Sequence, residues 1–136
     1  MKQTLVTGAN GHVGNNICRL LVERGEPVRA MIRPSADPRA LETLGVEIVR
    51  GDILDPASTA AAVAGAGRVH HTAAGFLMWS KDPERDIIRP SVEGTRNVLE
   101  AAVKAGVEKV VYTSTTGTMG FAATPDRKST RLNSSH

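Results

Sequence analysis

Apolar positions in this chain follow two rhythms that alternate between residues 3 and 114. Short apolar runs of strand length occupy residues 3–7, 27–32, 46–49, 68–72 and 109–113, and stretches with helical spacing separate them. Val13, Ile17, Leu20 and Leu21 recur at i, i+4, i+7 and i+8, and Gly25 follows as a stop. Asp37-Pro38 is a cap followed by a first-turn proline, with Leu41 and Leu44 as the apolar face before Gly45. Asp55-Pro56 repeats that device ahead of the alanine-rich residues 57–64. Asp82-Pro83 opens a longer stretch that carries Ile88, Val92, Thr95, Leu99 and Ala102 on one face and ends at Gly106. Strand and helix in strict alternation predict βαβ units. Right-handed crossovers then give an α/β fold, a doubly wound parallel sheet of five strands in order 3-2-1-4-5 with helices on both faces.

Composition narrows the class. The 136 residues suffice for one domain with a real core. Aromatic residues make up 3%, so that core must consist of Val, Leu, Ile and Ala. No apolar run approaches membrane-spanning length, and the N-terminus starts directly on a strand. The single Cys18 lies within a helical pattern, reads as a small buried apolar residue and fits a reducing compartment. A soluble, cytosolic protein is the expectation.

Net charge is +3, but its placement matters. Residues 126–136 hold Arg127, Lys128 and Arg131 against Asp126; without them, 14 basic residues face 13 acidic ones. No basic stripe with interleaved aromatics remains, so no nucleic-acid partner is expected. The same eleven residues, Asp126 to His136, show no apolar periodicity, and all eleven match one reading frame of a common sequencing-library adapter. They are expected to be a non-native disordered tail, leaving residues 1–125 as the folded domain, interrupted rather than finished.

The strongest chemical signal is Thr7-Gly8-Ala9-Asn10-Gly11-His12-Val13-Gly14. Three glycines spaced three apart between a strand and a helix form a dinucleotide cradle. The first takes the tight turn, the second admits a diphosphate to the main chain, and the third permits close helix–strand packing. In such sheets ligands bind beyond the carboxyl ends of the strands. Arg33 follows strand two, where an NAD-selecting protein more often places Asp or Glu; an arginine favours the NADP 2′-phosphate, with a solvated side chain as the alternative. After strand three, Gly51-Asp52-Ile53 offers a carboxylate to the adenine amino group, or simply a turn-forming Asp. Ala73-Ala74-Gly75 after strand four lets a cofactor lie against the backbone. Thr113, Ser114, Thr115 and Thr116 bring hydroxyls to the same edge, where they serve catalysis or local capping. His70 and His71, adjacent on a strand, point to opposite faces and cannot share a metal; packed imidazoles are the expected state. Met78 and Trp79 line a substrate pocket or cover a helix.

These residues, with Val92-Glu93-Gly94-Thr95-Arg96-Asn97-Val98-Leu99-Glu100-Ala101 and Val110-Val111-Tyr112-Thr113-Ser114, resemble the extended short-chain dehydrogenase/reductase superfamily. The likeness is to its NAD-dependent epimerase/dehydratase members, dihydroflavonol-reductase-like and sugar-epimerase-like proteins, over residues 2–121. It implies a Rossmann-type domain in which Gly8, Gly11, His12, Val13 and Gly14 hold the diphosphate. It further implies that Arg33 reads the adenosine ribose or its phosphate, and that Asp52 and Ile53 meet the adenine. Ala73, Ala74, Gly75 and Thr113 fall beside the nicotinamide half, and Thr115 takes the place of the catalytic Ser/Thr. Ser91 stands where relatives often have Asn. The family's acid/base is a Tyr with a Lys four residues on; here the only tyrosine is Tyr112, followed at that spacing by Thr116.

The resemblance therefore implies the NAD(P)(H)-binding portion of an oxidoreductase or epimerase, itself inactive, whose homodimeric parent acts on a small molecule or nucleotide sugar. A non-catalytic NADP(H) redox-sensor module uses the same glycine turn and is the alternative. An uncovered fifth strand, with Val110 and its neighbours at an open edge, predicts a chain prone to associate.

Overall fold

A computed structural model describes residues 1–73 and 79–120. Five parallel strands, β1 (Thr4–Thr7), β2 (Val28–Ile32), β3 (Glu47–Arg50), β4 (Arg68–His71) and β5 (Lys109–Tyr112), form one sheet in the order β3-β2-β1-β4-β5. The helices are α1 (His12–Glu23), α2 (Arg39–Glu42), α3 (Pro56–Val63) and α4 (Arg89–Lys104). Expected strand order and architecture are both met.

Period two in each strand divides the core. Leu5, Met31 and Val69 face α3 and α4, where they join Val63, Val98 and Ala102. Val6, Ala30 and Ile32 face α1 and α2, where they meet Cys18, Leu21 and Leu41. Each fully buried Leu, Ile or Val is worth about 1.5–3 kcal/mol relative to exposure, so these two layers hold the sheet. Cys18 is the small buried residue expected, and burial pushes its thiol pKa up to about 11.

Both long helices are rotated from their expected faces. On α1 the buried positions are Gly14, Cys18 and Leu21, while Val13 and Leu20 are about half exposed. On α4 they are Gly94, Val98, Ala101 and Ala102; Ile88, Val92 and Leu99 are left outside. Small residues take the tightest of these contacts, where a larger side chain has no room. Gly94 makes the case: a Cβ there would overlap the Ile53 side chain.

Two helix starts also differ. α2 has Pro38, not Asp37, at its N-cap, although Asp37 Oδ1 still accepts from Arg39 N at 3.0 Å. Asp82-Pro83 leads first into a π-helical turn, Glu84–Ile88, before α4 begins. Pro90 has no N–H to continue the ladder at the junction, which favours the wider turn. Asp55 caps α3 as expected, Oδ1 accepting from Ala57 N at 3.1 Å.

β5 forms a sheet edge. Val110 lies on this edge strand as expected, with its side chain packed on the core; its neighbours Val111 and Tyr112 are 43% and 50% exposed. Val111 and His70 share the α1 side of the sheet, because paired strands keep their side chains in register. Among the described residues, no helix is long and apolar enough to cross a membrane.

Candidate nucleotide-binding site

The carboxyl ends of β1 to β4 open into a cleft of about 520 Å³. Its walls include Gly8, Gly11, Arg33, Asp52, Ile53 and Ala73, so six of the residues singled out in the sequence meet here. Asn10, Asp86 and Pro90 also line it and were not anticipated. Pro90 and Asp86 come from the π turn and the start of α4, which no strand-end rule would have brought to this place.

The first and third glycines of the turn perform the tasks expected of them. Gly8 has φ of +63°, and a Cβ there would stand 2.9 Å from the Ala73 backbone. Only glycine combines that dihedral with that approach. Gly11 N donates to Gly8 O at 3.1 Å and closes the turn. Gly11 then caps α1 without a side-chain hydrogen bond, and no acidic residue occupies the first turn. The first-turn N–H groups of His12, Val13 and Gly14 thus lack a side-chain cap at the positive end of the helix dipole, although these three residues are not among the cleft's walls. A Cβ on Gly14 would fall on the Gly8 carbonyl group, so α1 can approach β1 this closely only with glycine there.

The wall opposite the turn depends on one threonine. Thr7 Oγ1 accepts from Thr72 N and Ala73 N, both at 3.1 Å, and lies 2.8 Å from His71 Nδ1. With both lone pairs taken, the Thr7 O–H must donate to His71 Nδ1. The imidazole is then the Nε2–H tautomer, and its Nε2 faces Thr95 Oγ1 at 3.5 Å. Thr72 Oγ1 donates back to Thr7 O. His71 is 2% exposed and stacks on Tyr112 at 5.7 Å between centroids. The packed, hydrogen-bonded state expected of the histidines holds for His71; His70 is half-buried on the opposite face. The lone tyrosine is thus part of the sheet surface.

Desolvation holds the His71 pKa below its ordinary 6.5, and burial acts on His70 in the same direction. The unfolded chain takes up these protons near pH 6.5 while the folded chain resists them. Stability is therefore complete above that pH and falls as pH drops through the lower folded values. The urea midpoint is expected to be lower at pH about 5.5 than at pH about 7.5, with a smaller difference in His71→Gln. Equal midpoints for the parent chain at the two pH values would refute this.

At the end of the cleft beyond β3, Asp52 Oδ1 accepts from Leu54 N at 2.9 Å, so the carboxylate does form the turn that was its alternative reading. Ser58 Oγ accepts from Asp52 N at 3.0 Å and donates to Asp52 O at 2.9 Å. Asn97, on the inner side of α4, donates from Nδ2 to Ile53 O at 2.7 Å. Ser91 donates to Ile87 O, in the π turn that precedes α4, at 2.8 Å. An asparagine next to Val98 and three residues after Gly94 was the available signal, a polar group at the edge of a buried stripe. Arg85 and then Ser80 hold the Asp86 carboxyl below the usual range at the cleft mouth.

Thr113 and Thr115 stand exposed after β5 and are not among the cleft's walls. Thr113 N donates to His71 O at 3.1 Å. Thr115 Oγ1 accepts from Gly117 N at 3.3 Å as the cap of a 3-10 turn, Thr116–Met119, and keeps its own O–H. Trp79 is 73% exposed. Ala74, Gly75, Met78 and the tail from residue 126 lie outside the described residues. Among the described residues, no three His, Cys, Asp or Glu side chains converge as metal ligands would.

Comparisons with known proteins agree with this fold. Sterol demethylase protein B of Methylococcus capsulatus is 44% identical over 118 residues, covering 87% of this chain and 36% of that protein. A putative dihydroflavonol 4-reductase of Synechocystis is 42% identical over 115 residues, 85% of this chain and 33% of the relative. The crystal structure of a short-chain dehydrogenase/reductase superfamily protein from Agrobacterium tumefaciens, with bound NAD, superposes with a TM-score of 0.73. It is 33% identical and covers 87% of this chain and 34% of that one. The chain thus spans about a third of the length of the curated relatives it matches. The profile of the NAD dependent epimerase/dehydratase family matches residues 4–135, and the chain belongs to that family.

Proposed function

We propose that this chain is the cofactor-binding portion of a nicotinamide-dependent oxidoreductase or epimerase, and that it takes NADP(H) in preference to NAD(H). The observation that carries the reading is the meeting of three features in one cleft: the uncapped N-terminus of α1, the backbone wall of Gly8 and Ala73, and Arg33. The first two suit a diphosphate. Arg33 is exposed at the end of β2, and no hydrogen bond or ion pair engages its guanidinium among the described residues. A free guanidinium on a cleft wall suits a dianionic phosphate ester through charge-assisted, bidentate hydrogen bonds.

When bound, the nicotinamide accepts or returns a hydride at a CH–OH or carbonyl carbon. The chain's own contribution is to bind and orient. Thr115, with its O–H still to give, hydrogen-bonds a substrate oxygen in this reading. The parent's substrate is a small molecule or nucleotide sugar, and the parent is a homodimer. Tyr112 is packed on His71 and has no lysine four residues on, so the chain as it stands performs no hydride transfer. The same lack leaves a redox-sensing module as the second reading.

The test is calorimetric titration with NADP+ and NAD+. NADP+ is expected to bind more tightly, and Arg33→Ala to weaken it by about 10- to 100-fold, the worth of one charged hydrogen-bonding group. NAD+ should change by less than about twofold. Unchanged NADP+ affinity in Arg33→Ala removes the cofactor preference, and failure of both dinucleotides to bind removes the whole reading.

A further inference from the structure

Arg50, the last residue of β3, points to the sheet face on which α1 and α2 pack. Its Nη1 donates to Pro34 O at 2.8 Å and Ala36 O at 3.0 Å, and lies 3.4 Å from Arg33 O. Three carbonyl oxygens of one short turn thus converge on a single guanidinium nitrogen. Besides these bonds the turn is held by Ala36, which packs on the core, while Arg33 and Pro34 stand exposed. Ala36 N donates to Arg33 O at 3.0 Å, and Pro34 has no N–H to offer.

That turn presents Arg33 to the cleft. The two arginines divide the work: Nη1 of Arg50 is committed to backbone carbonyls, while Arg33 is unengaged among the described residues and lines the cleft. A flexible arginine gains affinity for a phosphate only to the extent that its backbone anchor is already fixed, since ordering a loose turn on binding costs entropy. We propose that Arg50 is a positioning residue for recognition of the cofactor's 2′-phosphate, fixing the Arg33–Ala36 turn so that Arg33 meets the phosphate without further ordering. The inference rests on the NADP(H) reading above and extends it to a residue outside the cleft wall. Arg50 touches no part of the ligand in this account; its effect passes through Arg33.

The experiment uses two fragments of the cofactor, adenosine 2′,5′-bisphosphate and adenosine 5′-monophosphate, which differ only in the 2′-phosphate. Affinities are measured by calorimetry for the parent chain, Arg33→Ala, Arg50→Met and the double variant. Arg50→Met is expected to weaken the bisphosphate by about 3- to 10-fold, within the range of couplings between contacting groups, and the monophosphate by less than about twofold. In the Arg33→Ala background it should cause no further loss. Equal weakening of both ligands, or the same loss with Arg33 already removed, overturns the proposal, because either marks a general loosening of the site. If Arg33→Ala alone leaves the bisphosphate unaffected, the NADP(H) reading fails, whatever Arg50 does. Should Arg50→Met not fold, Arg50→Gln takes its place. Its shorter side chain cannot reach the three carbonyls as Arg50 does, so the same selective loss is expected, and an unchanged ratio of the two affinities would overturn the proposal equally.

Discussion

Gly14→Ala is expected to weaken dinucleotide binding by about 100-fold while leaving a folded, less stable chain. The added Cβ would lie 2.8 Å from the Gly8 carbonyl carbon and 2.9 Å from Thr72 Oγ1. Neither can yield cheaply. The Gly8 carbonyl accepts from Gly11 N and closes the glycine turn, and Thr72 Oγ1 donates to Thr7 O. Relief must come from α1 moving off the strand ends and carrying its first-turn N–H groups away from the diphosphate. Displacement on the order of 1 Å at a preorganised site costs about 100-fold, and overpacking of this kind about 1–3 kcal/mol of stability. Gly11→Ala is the graded comparison. Its Cβ meets only Gly8 O, at 3.3 Å, so a smaller loss on both counts is expected. Paired thermal melts and NADP+ titrations check the result. Affinity within about threefold of the parent chain would show that α1 has room to spare.

Thr7→Val is the second large effect, and it falls on stability and binding together. Valine keeps the shape and removes the oxygen that accepts from Thr72 N and Ala73 N and donates to His71. Thr7 is fully buried, so water cannot replace those partners. Leaving buried polar groups unpaired costs about 1–3 kcal/mol each before relaxation. A net loss of about 2–4 kcal/mol and a melting point lower by roughly 10–20 °C are expected for a domain of this size. Because Thr72 and Ala73 form the wall facing Gly8, dinucleotide affinity should drop as well. Thr113→Val, at an exposed position, should stay within about 0.5 kcal/mol of the parent. A Thr7→Val melting point matching that control would show that the network contributes nothing net.

Some of this was legible from local pattern alone. Strand positions and order followed from the period-two runs and the short helical connections, because a βαβ chain has few ways to close. The glycine turn could be read in detail, since each glycine answers a backbone constraint that belongs to the turn itself. Asp55 before Pro56 announced its cap for the same reason. Other features had no local signature. The face that α1 and α4 bury is set by distance to the sheet, so Gly14, Cys18, Gly94 and Ala101 lie inside while Val13, Leu20, Val92 and Leu99 lie out. Hydrophobic periodicity weighs size and apolarity together and was drawn to the larger residues. Asn97 looked like one more polar helix residue until it met the Ile53 carbonyl.

The sequence by itself determined the architecture and the backbone form of the first turn. Both depend on interactions within a few residues or on alternation along the chain. Tertiary structure decided how the cleft is held open: Thr7 beneath the β4 end, Asn97 and Gly94 against Ile53, Asp86 and Pro90 at the rim, and Arg50 behind Arg33. Those groups are distant from their partners along the chain, Thr7 by 64 residues from His71 and Asn97 by 44 from Ile53. A hydrogen bond across such a span is chosen by where the folded sheet leaves a buried donor or carbonyl unpaired, and that is known only once the strands have taken their places.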